Sequence, residues 1–424
     1  MANFPMKPAL SIRELIEKYP AVGGNSDARV FLRSIISVTR IEDGRFKVEC
    51  RGLDGNGLRF LARKASFKAG QIVMVFLART FLPANAHPEF KAMNCQHNIE
   101  GEPGLKLDFH LDKDTGLFCD GIVRPVTAFP PVVYAINSMT QALGVDPAAC
   151  SLADPAGGDA LTYGIQLLAA DDLNYNVSFE KMLGVKRWSH SATKVSMGPC
   201  PGFYRRAQIS RLVQCPNLFI KPKYKSLTYQ VTEKIDGSTM AVYFIGKNSP
   251  FFKALNPLPK YPGPHMDLSN GRVGVCSMKI ELPQTDTCPF WRAALRYNLP
   301  DLLNAQNQDF IIQGELAGDG VNKNRRGYPK GEVDLWVFDI FEPRIEGNWV
   351  RGDKVVSWCK NNKVQHVPVR GASVKLQLAF KNACQIQELA DREPGEGLVF
   401  QCNEETSRRF KVHSRGYLAK YGLE

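Results

Sequence analysis

The 424-residue chain is 44% hydrophobic and 23% charged, and its 54 Lys plus Arg against 42 Asp plus Glu give a formal charge of +12. This length exceeds one small domain and fits two or three, the composition excludes a disordered chain, and the charge favours a polyanionic partner such as nucleic acid. Eleven cysteines, an odd number with no Cys-x-x-Cys pair, argue against a disulfide framework or a zinc site and for a reducing compartment. With no membrane-length apolar run and no signal-like N-terminus, the expectation is a soluble intracellular protein.

Residues 11–18 read as a short helix, with Ser11 as N-cap and Glu14 completing a capping box; Pro20 and Gly23-Gly24 end it. From residue 30 the pattern changes to strands at 30–38, 45–50, 58–62 and 71–77, with turns at Asp43-Gly44, 54–57 and Ala69-Gly70, and a further strand within 116–125. Short alternating strands with tight turns imply a small barrel of the OB type. Its cations, among them Arg33, Arg45, Lys47, Arg59, Lys64 and Lys68, interleaved with Phe46, Phe60 and Phe67, suit oligonucleotide binding; the aromatics suit a barrel core equally well. Residues 128–200 are Pro/Gly-rich in places, with a helix near 132–143, and read as a connecting region. There are no internal repeats.

A second domain is expected from residue 201. Residues 227–232 are rich in β-branched and aromatic types and read as a strand, with 240–245 as its return partner. Between them lies Thr232-Glu-Lys-Ile-Asp-Gly-Ser238. Lys234, at a strand end, is a candidate nucleophile once neighbouring cations or desolvation remove its proton; Asp236 could steer a metal or the amine, and Gly237 permits close backbone approach. Standing alone, the segment reads first as a strand followed by a turn with an exposed lysine. Residues 247–270 read as an exposed loop. Four further stretches follow: a strand at 310–318 carrying Glu315, an aromatic strand at 333–341, Glu396 flanked by glycines at the start of a strand, and a basic strand placing Arg409 and Lys411 on one face.

The ordered set resembles the covalent nucleotidyltransferase superfamily of ATP-dependent DNA and RNA ligases and mRNA capping enzymes. Its motifs are matched by Lys234-Ile-Asp-Gly237, Gly314-Glu315, Trp336-Val-Phe-Asp339, Glu396-Gly-Leu-Val399 and Arg409-Phe-Lys411. Only 412–424 follow the last motif, so no OB domain is expected downstream; an upstream one resembles RNA ligases of the Deinococcus type, as do residues 64–76, 181–188 and Glu233. The fold this resemblance implies is α+β: an N-terminal OB-type β-barrel followed by an ATP-grasp-like nucleotidyltransferase domain of antiparallel sheets flanked by helices. The division is 1–27 (N-terminal segment), 28–127 (OB-type domain), 128–200 (connecting region) and 201–424 (adenylyltransferase domain).

The resemblance also implies an ATP-dependent RNA ligase that seals 3′-hydroxyl and 5′-phosphate RNA ends through a lysyl-AMP intermediate, with ATP and Mg2+ or Mn2+ as cofactors and a monomer expected. Lys234, Lys411 and Arg409 are then catalytic. Glu233, Lys234, Gly237, Glu315 (ribose), Phe338 (adenine), Glu396 and Lys411 hold the nucleotide, and Asp236 and Glu396 hold the metal. Two departures stand out. Met278 occupies the place of an arginine expected to grip a phosphate, with Lys279 or Arg272 as possible substitutes, and Arg409 replaces a lysine. A GTP-using capping-type guanylyltransferase and a non-catalytic RNA-binding relative of the fold are the alternatives.

Overall fold

Much of the period-two alternation that begins at residue 30 becomes sheet in the computed structural model, which describes residues 23–25, 28–51, 57–63, 67–93, 96–99, 101–112, 115–142, 176–189, 193, 195–203, 209–343 and 348–423. The expected helix at 11–18, most of the 54–57 turn and Lys64 lie outside the described residues. The chain divides into two units, Met1–Ser189 and His190–Glu424. Among the described residues no helix is long and apolar enough to cross a membrane.

In the first unit, strands β1 (Val30–Arg40), β2 (Phe46–Arg51), β3 (Gly57–Ala62), β4 (Ile72–Leu77) and β5 (Gly121–Pro125) form one antiparallel sheet in the order β5-β4-β1-β2-β3. Its two edges meet: the Asp120 N–H donates to the Arg59 carbonyl at 2.9 Å, and the Arg59 N–H donates to the Asp120 carboxylate at 2.8 Å. Closure of this kind leaves fewer unpaired edge groups. Alternate residues Phe31, Ile35, Val48, Phe60, Val73 and Val75 fill the interior. Phe60 is therefore core, whereas Arg45, Lys47 and Arg59 are not part of that cluster, Arg45 pairing with Asp112 and Lys47 with Glu49. The 128–200 stretch is more than a connector: its helix Pro130–Ala142 buries Val132, Ala135 and Ile136, and Val177, Phe179, Leu183 and Val185 join the same core.

Among its described residues the second unit holds two sheets. Strands β6 (Ser210–Arg211), β7 (Tyr229–Glu233), β12 (Val369–Val374), β13 (Gly397–Cys402) and β14 (Arg409–His413) make one, ordered β6-β14-β13-β7-β12. Strands β8 (Ser238–Gly246), β9 (Gly271–Cys276), β10 (Phe310–Gly318) and β11 (Val333–Glu342) form the middle of a seven-stranded sheet, ordered β9-β8-β10-β11. The expectation that β7 and β8 pair as a hairpin is overturned. β7 is buried along its whole length between β13 and β12, and the four residues after it carry the chain from one sheet into the other. A residue in that crossing faces both sheets.

Each sheet is fixed by its apolar face. Phe410 and Val412 of β14 pack with Tyr229, Val231, Leu398 and Phe400 and with Ile386 and Ala390 of helix α1 (Ala383–Asp391). At about 1.5–3 kcal/mol per buried side chain, that core dictates which way Arg409, Lys411 and His413 face. On the other sheet, Met240, Val242, Val275, Ile312 and Leu335 pack against Trp291, Leu299 and Leu303. Residues 247–270, expected as an exposed loop, are partly drawn in, with Phe251, Ala254, Asn256 and Met266 buried.

Candidate active site

Lys234 is positioned by its backbone before its side chain does anything. Its N–H donates to the Gly397 carbonyl at 2.8 Å, the preceding Glu233 N–H donates to Pro368, and the Ser414 N–H donates to the Glu396 carbonyl at 2.9 Å. The ends of β7, β13 and β14 are thereby drawn to one point. Gly397 has φ +139° and any Cβ there would lie 2.1 Å from the Val412 carbonyl oxygen, so close approach of β13 and β14 requires glycine. At Gly237 a Cβ would lie 2.3 Å from the Leu316 carbonyl oxygen and 2.9 Å from Glu315 Cγ, which explains the glycine of the Lys-x-Asp-Gly segment.

The Lys234 ammonium donates to Glu396 Oε2 at 2.6 Å, and both side chains are mostly buried. His413 Nε2 stands 3.7 Å from Glu396 Oε1. Burial, then Lys234 and Lys411, push the His413 imidazole down to about 4, so it is neutral at physiological pH. Burial and the Lys234 charge also lower the Lys411 ammonium. Glu315, reaching in from β10, is pushed up to about 7, first by burial and then by Glu396 and Asp236, against the opposing pull of Lys234. Two cations and three carboxylates therefore act on one another at this crossing.

Asp236 is fully engaged by protein donors: Arg325 Nη1 at 3.0 Å, the Tyr417 hydroxyl at 2.6 Å and the Asn322 amide. Among the described residues no three His, Cys, Asp or Glu side chains are grouped to hold a metal ion. The donor set still fits Mg2+ or Mn2+. These hard cations are commonly held by one or two carboxylates plus substrate phosphates, and Glu396 and Asp236 are carboxylates of that kind at the crossing. Glu396 keeps one oxygen clear of Lys234, whereas Asp236 would have to release a donor first.

Glu315, Trp336 and Phe338 line the opposite wall. Glu315 pairs with Trp336 across β10 and β11, and Phe338 lies two residues along on the same face. Trp336 and Phe338 are half-buried over Ile235, Ala317 and Val367. The Trp336 indole donates to the Tyr328 hydroxyl at 2.9 Å, and the Arg326 guanidinium lies 5.3 Å from the Trp336 ring. Arg326 also pairs with Glu233 at 2.9 Å, and Arg370 reaches the other Glu233 oxygen at 3.1 Å.

Two expectations are corrected. Arg409 is not in the crossing: its guanidinium is buried on Asp339, 4.7 Å over the Trp349 ring, and donates to the Thr406 carbonyl. It ties β14 to β11, because burial leaves an arginine no other way to satisfy its charge. Arg272 cannot replace the missing arginine, since it is buried against Glu281 at 3.0 Å in a network with Tyr243 and Asn256. Met278 and Lys279 sit exposed on the turn between β9 and strand Ile280–Leu282, at the end of β8 where Gly237 enters. Arg325, Arg326, Arg370, His413 and Tyr417 were missed. The Arg325-Arg326 pair in an Asn/Gly loop was the one visible signal; Tyr417 follows the last motif with no spacing to mark it.

No curated protein matches the chain. Among solved structures, the chain is similar to Naegleria gruberi RNA ligase with PPi (21% identity, TM-score 0.43, covering 94% of this chain and 99% of that one). It is also similar to a mutant of that ligase with AMP and Mn (20%, 0.44, 93% and 99%) and to another with ATP and Mn (20%, 0.44, 93% and 100%). Residues 227–413, from just before β7 to the end of β14, match the model of the RNA ligase family, a match that supports an RNA ligase enzyme built on the second unit.

Proposed function

We propose that the protein joins RNA ends in an ATP-dependent reaction that passes through a covalent lysyl-AMP at Lys234. The observation that carries this reading is the 2.6 Å contact of Lys234 Nζ with Glu396, set where β7, β13 and β14 converge and flanked by Lys411. The lysine is activated by losing its proton, for which Glu396 is the adjacent acceptor. The Lys234 nitrogen then forms a bond to the α-phosphorus of ATP as the bond to pyrophosphate breaks. An oxygen of the RNA 5′-phosphate next attacks that phosphorus, restoring the lysine and leaving AMP on the RNA end. The RNA 3′-hydroxyl oxygen finally attacks the 5′-phosphorus, AMP leaves, and the hydroxyl proton passes to a nearby base.

Lys411 supports the α-phosphate charge in these transfers, in which positioning and charge neutralisation do most of the work. Trp336 and Phe338 offer the aromatic surface for adenine, and Glu315 faces the ribose. Glu396, with Asp236 once its donors yield, would hold Mg2+ or Mn2+, which would neutralise phosphate charge there. In the first unit, the β5-β4-β1-β2-β3 order with its edges joined at Asp120 and Arg59 supports an OB-type barrel, and the excess of cations over acidic residues in the chain suits an RNA strand.

The test is incubation of the protein with α-labelled ATP and, separately, α-labelled GTP plus Mg2+ or Mn2+, followed by a denaturing gel. Acid-labile label from ATP, absent in Lys234→Ala, is the expected result. Label from GTP alone moves the reading to a capping-type enzyme, and no label from either nucleotide removes it.

A further inference from the structure

One feature borders the proposed chemistry and shares Glu233, Asp236 and Glu396 with it. A cavity of about 480 Å³ opens next to Glu396 and Asp236, on the side of the crossing walled by the last helix, α2 (Arg415–Tyr421). Its size falls within the range of small-molecule sites, about 300–1,000 Å³. The wall contains Tyr417 and Tyr421, with ring centroids 4.7 Å apart and planes tilted by 53°, and Lys420 beside them. Arg325 lies 5.5 Å over the Tyr421 ring while bonded to Asp236, so helix α2 and the Asp236 loop form one assembly.

The lining is unsuited to a triphosphate. Of its five carboxylates each already holds a cation, Asp236 with Arg325, Glu233 with Arg326 and Arg370, Glu393 with Arg370, Asp391 with Arg415 and Glu396 with Lys234, so little positive charge is left for a triphosphate. Such a surface suits hydroxyl donors and a neutral aromatic ring instead: carboxylate and tyrosine oxygens accept from sugar hydroxyls, and a base stacks on a tyrosine without regard to its sequence. Lys420, for which the described residues supply no ion pair and whose ammonium lies 5.2 Å over the Tyr421 ring, stands at the exposed rim, where a single phosphodiester would pass.

We propose that this cavity receives the 3′-terminal nucleoside of the RNA strand that supplies the hydroxyl, with its base on Tyr421, its sugar toward Glu396, and its phosphate at Lys420. The proposal rests on the ligase reading above and adds which part of the fold selects the acceptor strand. It gives helix α2 a binding role separate from adenylylation.

The test uses the full chain with a pre-adenylylated 5′ strand and a 3′-hydroxyl acceptor strand, without ATP, alongside lysyl-AMP formation measured against ATP concentration. Tyr421→Ala is expected to raise the KM for acceptor by about 5- to 150-fold, the range for loss of one stacked base. Tyr421→Phe should hold the wild-type KM, and Lys420→Ala should raise it by less. An unchanged acceptor KM in a Tyr421→Ala protein that melts like wild type overturns the proposal, as does a rise in the KM for ATP with none for acceptor. If the wild-type protein forms no lysyl-AMP, the ligase reading fails and takes the proposal with it; a failure in the variants alone leaves that reading standing.

Discussion

Strand β14 carries two cations on one face, and the structure uses them in opposite ways. At its start, Arg409 is 6% exposed and closed over by Asp339 and Trp349; two residues on, Lys411 opens into the crossing beside Lys234 and Glu396. The same alternation thus yields a structural ion pair at one end and a site cation at the other. What separates them is cover: β11 lies over the first position, and the gap between the two sheets lies over the second. A basic residue on a strand face becomes chemistry only where the opposing layer is missing.

Removing the site cation gives the largest expected effect. Lys411→Ala should slow lysyl-AMP formation by at least about 100-fold, the scale of losing one charge-stabilising donor, with little change in melting temperature. Single-turnover labelling and a thermal melt together check this. Equal losses of rate and of stability would collapse the contrast between the two ends.

Removing the structural cation should act on stability first. Arg409→Met leaves Asp339 charged or protonated in a buried place, at a cost of roughly 3–5 kcal/mol, and pairing it with Asp339→Leu should recover most of that loss. Denaturant titration reads both. If the single variant unfolds like wild type but no longer forms the adduct, Arg409 belongs to the chemistry after all.

Titration sharpens the comparison further, in metal-free protein. His413 has a folded pKa lowered from 6.5 to about 4, so the unfolded chain binds that proton more tightly; its contribution is present above about 6.5 and is lost as pH falls toward 4. Glu315 has a folded pKa raised from 4.5 to about 7, so its contribution is present below 4.5 and is lost as pH rises to about 7. Relative to wild type, Glu315→Gln should therefore gain stability between pH 4.5 and 7, and His413→Gln should gain it between pH 6.5 and 4. Melts across pH 4–8 decide, and parallel curves for Glu315→Gln and wild type would remove the buried-acid account. The smallest effect is expected at the exposed turn: Met278→Arg should raise sealing of a nicked RNA a few-fold, the scale of one surface phosphate contact. Unchanged sealing would mean that another cation already serves.

The elements that sequence reading located best are those where local chemistry is self-sufficient. The glycine before Glu315 and the one after Asp236 are forced by backbone approach, and the strands at 229–233, 310–318, 333–342 and 397–402 follow from β-branched and aromatic runs. The reading failed where partners come from afar. Nothing near Arg409 announces Asp339, seventy residues earlier, and nothing near Arg272 announces its burial with Glu281. Tyr417 meets Asp236 across 181 residues of chain.

By itself, the sequence determined the strand positions, the nucleophile candidate with its carboxylate and glycine companions, and the basic balance that favours an anionic partner, because each depends on residue type and short spacing. Only the tertiary structure decided that Lys234 stands between two sheets, that Arg409 is sealed while Lys411 is not, and that helix α2 closes on Asp236. Those outcomes depend on which layer covers a given face, a long-range packing choice set by Phe410, Val412 and the two cores, and strand alternation carries no record of it.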